Sequence, residues 1–155
     1  MRVFLSFGSN LGDKRTNIEA TYEKVEERIG DIVAVSAFYL STPVGFESDK
    51  LFVNSVCEVE SDLCPHSILA ITQEIEQEMG RNEKSTDGIY SDRVIDIDIL
   101  LIEDLIIQST ELVIPHPRMH LRDFVLAPMC EIAPETVHPV FGKNVRELLY
   151  KQHHL

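Results

Sequence analysis

The 155-residue sequence predicts an α+β sandwich in which helices pack on one face of an antiparallel sheet, in the order β-α-β-β-α-β. Short runs of β-branched and aromatic residues alternate with segments whose apolar residues recur at helical spacing. Composition supports the same class. With 44% hydrophobic and 26% charged residues, the chain reads as one globular domain over 1–155, able to bury a core without disulfide or metal staples.

Each element has a local reason. Val3–Phe7 is an apolar run ended by Gly8-Ser9-Asn10, hence a strand and a turn. Asp13 or Thr16 can cap the helix that follows, and Thr16-x-x-Glu19 matches a capping box. Ile18, Tyr22, Val25 and Ile29 form its apolar face, and Gly30 stops it. Ile32–Leu40 reads as one strand and Phe52–Val59 as the next, antiparallel to it, with a break at Thr42-Pro43-Val44-Gly45. Pro65 suits a first helical turn, and Ile68, Ile71, Ile75 and Met79 mark a second amphipathic helix closed by Gly80. Residues 81–92 have no periodicity and read as a mobile loop before the strand Val94–Ile102. Leu105–Ile107 is expected to form a small hairpin arm with that strand. Met119–Ile132 reads as a short helix and its exit, and Asn144–Lys151 as a last helix. The order is that of the ferredoxin-like sandwich, which says nothing of function.

Charge narrows the partners. Fourteen Lys and Arg against 26 Asp and Glu leave a net charge of −12. That field repels nucleic acid and anionic lipid, so neither is expected as a partner. A small anionic substrate needs local help, and the sequence supplies it. Residues 51–80 hold no Lys or Arg, whereas Arg81, Lys84, Arg93, Arg118 and Arg122 follow around a pair of Asp residues. No apolar run approaches the roughly 18–20 residues of a membrane span. The N-terminus shows no signal-peptide pattern, and Cys57, Cys64 and Cys130 lack metal or redox spacing. Reduced, inert thiols in a cytoplasmic protein are expected.

The most informative segment is Arg93-Val94-Ile95-Asp96-Ile97-Asp98-Ile99-Leu100. On a strand, residues two apart share a face, so Asp96 and Asp98 project together while Ile95, Ile97 and Ile99 enter the core. Two like charges there are costly unless a cation lies between them, and oxygen-only ligands suit Mg²⁺. A bare D-x-D is more readily a solvated strand face; the apolar flanks and nearby arginines tip the reading to the metal. Pro115–Phe124 places His116, His120, Arg118, Arg122 and Phe124 within ten residues, a set able to grip phosphate. His120 alone reads as a surface-loop residue, and no spacing suits zinc. Gly8–Asp13 lacks a phosphate-loop pattern, follows an edge-compatible strand, and reads mainly as a turn and helix entry. Phe52 and Asn54 are ordinarily core and turn, yet on a strand they share a face able to stack on and bond a flat heterocycle. His153 and His154 read as a disordered tail.

Phe7–Asp13, Ser41-Thr42-Pro43, Phe52-Val53-Asn54, Gly80-Arg81, Arg93–Leu100 and Pro115–Arg118 occur in an order that resembles the 6-hydroxymethyl-7,8-dihydropterin pyrophosphokinases of folate biosynthesis. The resemblance runs from about Val3 to Gly142 and implies the ferredoxin-like fold. It also implies transfer of pyrophosphate from ATP to the pterin hydroxymethyl group, with release of AMP. It assigns two Mg²⁺ ions to Asp96 and Asp98, and a pterin pocket to Thr42, Pro43, Val44, Phe52, Asn54 and Phe124. Gln73, Glu76, Arg81, Arg93, Ile99, His116 and Arg122 are then expected around ATP, with Arg81, Arg93, Asp96 and Asp98 catalytic. Residues 45–50 and 81–92 match the family's two closing loops, and a monomer is expected because one chain carries every motif. The second loop is slightly longer than in the best-known members, with Lys84 near a common second Arg and Tyr90 in place of Trp. Glu111 and Val113 stand where some members use Arg and Thr on the nucleotide.

Overall fold

A computed structural model describes residues 1–42, 50–80 and 93–154. The chain runs β1 (Arg2–Ser9), α1 (Lys14–Arg28), β2 (Asp31–Val35), β3 (Tyr39–Ser41), β4 (Phe52–Glu60), α2 (Pro65–Glu78) and β5 (Asp96–Ile102). A small arm follows, β6 (Ile107–Gln108) and β7 (Val113–Ile114), then a 3₁₀ turn at Met119–Leu121, α3 (Asp123–Ile132) and α4 (Val145–His153). The main sheet is antiparallel, in the order β2-β4-β1-β5 with β3 also on β4. β1 is therefore an inner strand and β5 an outer one.

Local chemistry sets the helix ends. Asp13 caps α1 by accepting from the Thr16 N–H, which leaves Thr16 inside the first turn. Asn144 and Glu147 form a reciprocal capping box on α4. Pro65 opens α2, and Gly80 follows it at a φ of +106°. Gly30 acts differently from a left-handed stop. A Cβ there would lie 2.0 Å from the Glu60 carbonyl oxygen, so glycine is needed for close approach to β4.

Four expectations change. Helices cover both faces of the sheet, not one. α1 and α2 pack over Val3, Leu5, Phe7, Ile97 and Ile99, while α3 and α4 pack over Phe4, Val56, Leu100 and Leu101 on the other side. The expected strand 32–40 divides at Ser36, whose Oγ accepts from the Val56 N–H in place of a ladder carbonyl. There Glu131 of α3 accepts from the Ala37 N–H and the Tyr39 hydroxyl. The Leu105–Ile107 arm pairs not with β5 but with β7, because a turn after Ile102 carries the chain away from the sheet. His153 lies in α4 and bonds Asp123 at 3.1 Å, so it is not a loose tail.

The register of β5 positions the acidic pair. Leu5 pairs with Ile99 but Phe4 with Leu101, so an extra residue enters β5 at Leu100. The bulge turns Leu100 and Leu101 together onto the α3 side and returns Ile102 to the α1 side. Asp96 and Asp98 stay half-buried between buried Ile95, Ile97 and Ile99.

Candidate active site

The α3-facing side of the sheet is apolar at one end and polar at the other. Phe4, Val56 and Leu100 lie beneath α3 and α4. Beyond them, Val56, Ser6 and Asp98 form one cross-strand row, and Asn54, Gly8 and Asp96 the next. Phe52 shares the Asn54 face of β4. Gly8, expected in the turn after the first strand, lies instead within β1 between Asn54 and Asp96. A Cβ built on it would approach the Asn54 Oδ1 and the Phe52 ring at 3.4 Å, so glycine keeps the floor between Asn54 and Asp96 open. The available signal was a glycine inside a strand pattern, which marks close approach to a ligand or backbone.

Asn54 is held in one orientation. Its Nδ2 donates to the Tyr39 carbonyl at 3.2 Å and to Ser41 Oγ at 2.7 Å. A carbonyl only accepts, so the amide nitrogen must face β3, which turns Oδ1 toward Gly8 and Phe52 as an acceptor. Thr42 is exposed at the end of β3. Phe124 enters from the first turn of α3, half-buried against the second core cluster, with the Arg122 guanidinium 5.5 Å from its ring centre.

Each carboxylate has its own cation. Arg93 Nη1 stands 3.3 Å from Asp96 Oδ2, and Arg122 Nη1 stands 3.7 Å from Asp98 Oδ2. The protein itself therefore relieves part of the repulsion that the sequence assigned to a metal. The donor set still fits Mg²⁺: two half-buried carboxylates on one face, oxygen only, with no third His, Cys, Asp or Glu completing a cluster among the described residues. Mg²⁺ commonly takes its other ligands from phosphate and water.

His116 completes this side. Its Nδ1 accepts from the Arg118 backbone N–H, so the neutral ring carries its proton on Nε2, which lies 3.9 Å from Asp98 Oδ2. Burial, then the neighbouring Arg122 charge, push its pKa down to about 4 against a partial rise from Asp96. At neutral pH the Asp98 contact is thus a neutral donor beside a carboxylate, not an ion pair. Unfolded His116 takes a proton near pH 6.5, whereas native His116 resists it to about pH 4. Stability is full above 6.5 and falls as pH drops toward 4, by about 3 kcal/mol at most. Unfolding titrations without ligand should show a steeper acid slope for wild type than for His116→Asn; parallel curves would contradict this.

Of the residues expected around ATP, Glu76 reaches from α2 to accept the Ile97 N–H at 2.9 Å, on the open edge of β5. Ile99 lies two residues along that edge, and Gln73 is exposed on α2. The His120 ring meets Phe141 edge-on, its Nδ1 is buried, and with His116, His138 and Phe141 it lines a cleft of about 170 Å³. Glu111 and Val113 are exposed on the β6–β7 arm, and Cys57, Cys64 and Cys130 are free thiols. Pro43, Val44, Arg81, Lys84, Tyr90 and the loops 43–49 and 81–92 lie outside the described residues.

Residues 4–134 match the family model described as 7,8-dihydro-6-hydroxymethylpterin-pyrophosphokinase. The 2-amino-4-hydroxy-6-hydroxymethyldihydropteridine pyrophosphokinase of Porphyromonas gingivalis is 49% identical over 88% of this chain and 93% of its own length. That of Aquifex aeolicus is 39% identical over 94% and 88%. Among solved structures, a wild-type Plasmodium falciparum HPPK-DHPS superposes with a TM-score of 0.78 at 17% identity, over 97% of this chain and 44% of that one. The fold is thus shared with a protein more than twice as long, and among the described residues no helix is long and apolar enough to cross a membrane. With the D-x-D strand and its flanking arginines in place, the chain belongs to the 7,8-dihydro-6-hydroxymethylpterin-pyrophosphokinase family and is an ATP-dependent pyrophosphokinase of folate biosynthesis.

Proposed function

We propose that the open end of the α3-facing sheet is where the pyrophosphate of ATP passes to 6-hydroxymethyl-7,8-dihydropterin. The observation that carries this reading is the pair Asp96 and Asp98, each matched to an arginine that can turn from carboxylate to phosphate. Asp96 and Asp98 would hold two Mg²⁺ ions, with Arg93 and Arg81 as the catalytic cations. When bound, the metal supplies charge neutralisation and a template for in-line displacement. Arg93 and Arg122 would turn to the triphosphate, and the neutral His116 would donate to it from Nε2.

Phe52 and Phe124 stack on the pterin, Asn54 Oδ1 accepts a ring N–H, and Thr42, Pro43 and Val44 complete the pocket. Gln73, Glu76 and Ile99 line the nucleotide side along the β5 edge. The pterin hydroxyl attacks the β-phosphorus and AMP leaves; positioning and charge neutralisation carry such a transfer. One domain acting as a cytoplasmic monomer, without nucleic acid or membrane, is part of the same proposal. The test is turnover of ATP with the reduced pterin. AMP and pterin diphosphate are expected, with an absolute need for both Mg²⁺ and pterin. ADP as product, or turnover without metal, would overturn it.

A further inference from the structure

The residue just past the end of β1 is one that this chemistry does not use. Asn10 is fully buried. β1 and β5 pair in constant register from Leu5 with Ile99 to Gly8 with Asp96, and continuing it would set Asn10 opposite Val94. Asn10 instead meets Arg93. Its N–H donates to the Arg93 carbonyl at 3.0 Å, and its side-chain Oδ1 accepts the Arg93 N–H at 2.6 Å. The one-residue slip takes Arg93 out of the ladder, and the amide oxygen supplies the acceptor that a strand carbonyl would have given. This stretch is itself braced, because Asn17 of α1 donates to Ser9 Oγ at 3.3 Å and to the Leu11 carbonyl at 2.9 Å.

We infer that Asn10 is a positioning residue for Arg93, pinning its backbone from both sides so that the guanidinium stays within reach of Asp96 and of phosphate. This rests on the reading that Arg93 acts on the triphosphate. Arg93 lies just before β5, where a free backbone would let its long side chain swing away from the pair. Small displacements of such a group are expensive in rate.

The test is a double-mutant cycle of Asn10→Ala and Asn10→Asp, each alone and with Arg93→Ala. Affinity for a non-hydrolysable ATP analogue with Mg²⁺ is read by calorimetry, beside kcat and the pterin KM. Asn10→Ala should weaken analogue binding and kcat by about tenfold or more, since the part-buried Arg93 N–H loses its acceptor, and leave the pterin KM within about threefold. In the Arg93→Ala background the further loss should shrink to about twofold or less. Asn10→Asp keeps an oxygen at the acceptor position and should recover most of the loss; if Asn10→Ala does not fold, this variant decides. The inference fails if a folded Asn10→Asp is as impaired as Asn10→Ala, if Asn10→Ala behaves as wild type, or if its loss is unchanged without Arg93. An Arg93→Ala variant that binds and turns over as wild type would instead overturn the underlying role of Arg93, and this inference with it.

Discussion

Replacing Asp98 with alanine is expected to abolish pyrophosphate transfer while the fold survives. On the proposal that Asp98 holds metal, removing its carboxylate should lower kcat by roughly 10³-fold or more, the scale of losing a preorganised charge in a closed site. The stability cost should be small. Asp98 is about one-third exposed, its Arg122 partner stands 3.7 Å away, and His116 is neutral. Losing such a contact is worth less than about 1 kcal/mol. Asp96→Ala should be equally inactive but less stable, by about 1–2 kcal/mol, because its 3.3 Å contact with Arg93, whose side chain is only 11% exposed, is shorter and more buried than the Asp98–Arg122 contact. Steady-state assays at saturating Mg²⁺ and urea unfolding of both variants check this. Near wild-type turnover of Asp98→Ala would sink the two-metal reading.

This asymmetry was not legible in the sequence, where the two carboxylates look equivalent. Strand alternation alone put Asp96 and Asp98 on one face and Ile95, Ile97 and Ile99 on the other. The cations attached to each depend on chain geometry at two distant points. Arg93 is local, three residues before Asp96, but Arg122 arrives from the start of α3. The helices α1 and α2 were legible because their apolar stripes are regular. The second helical layer was harder to place, since nothing in α3 says which face of the sheet it covers. That choice shows only in partners far along the chain, such as Phe4, Val56 and Leu100. The bulge at Leu100 hid for a similar reason: a run of Ile and Leu has no polar residue to betray a change of face. Gly8 and Asn10 looked like ordinary turn formers, and their roles lie in the space one leaves open and the acceptor the other supplies.

Phe124→Ala should weaken pterin binding while leaving nucleotide binding close to wild type. On the proposed role, the ring would offer a stacking face whose worth beyond area burial is about 0.5–1.5 kcal/mol, so roughly a two- to twelvefold loss would come from stacking alone. Part of the ring also packs against the second core cluster, so some stability is lost too, about 1–2 kcal/mol. Separating these effects requires ligand-specific measurement. Calorimetry with pterin and with Mg²⁺-nucleotide, each alone, should show the loss for pterin only. Arg122 lies over the same ring, yet it keeps its Asp98 partner when the ring is gone, so the phosphate side has a second anchor. Phe52→Ala offers the matching control from the opposite element, since Phe52 shares the β4 face with Asn54. Equal losses for both ligands in Phe124→Ala, or wild-type pterin affinity, would make Phe124 a core residue only. A pterin-specific loss in both variants would place the substrate ring between α3 and β4, directly over the open floor at Gly8.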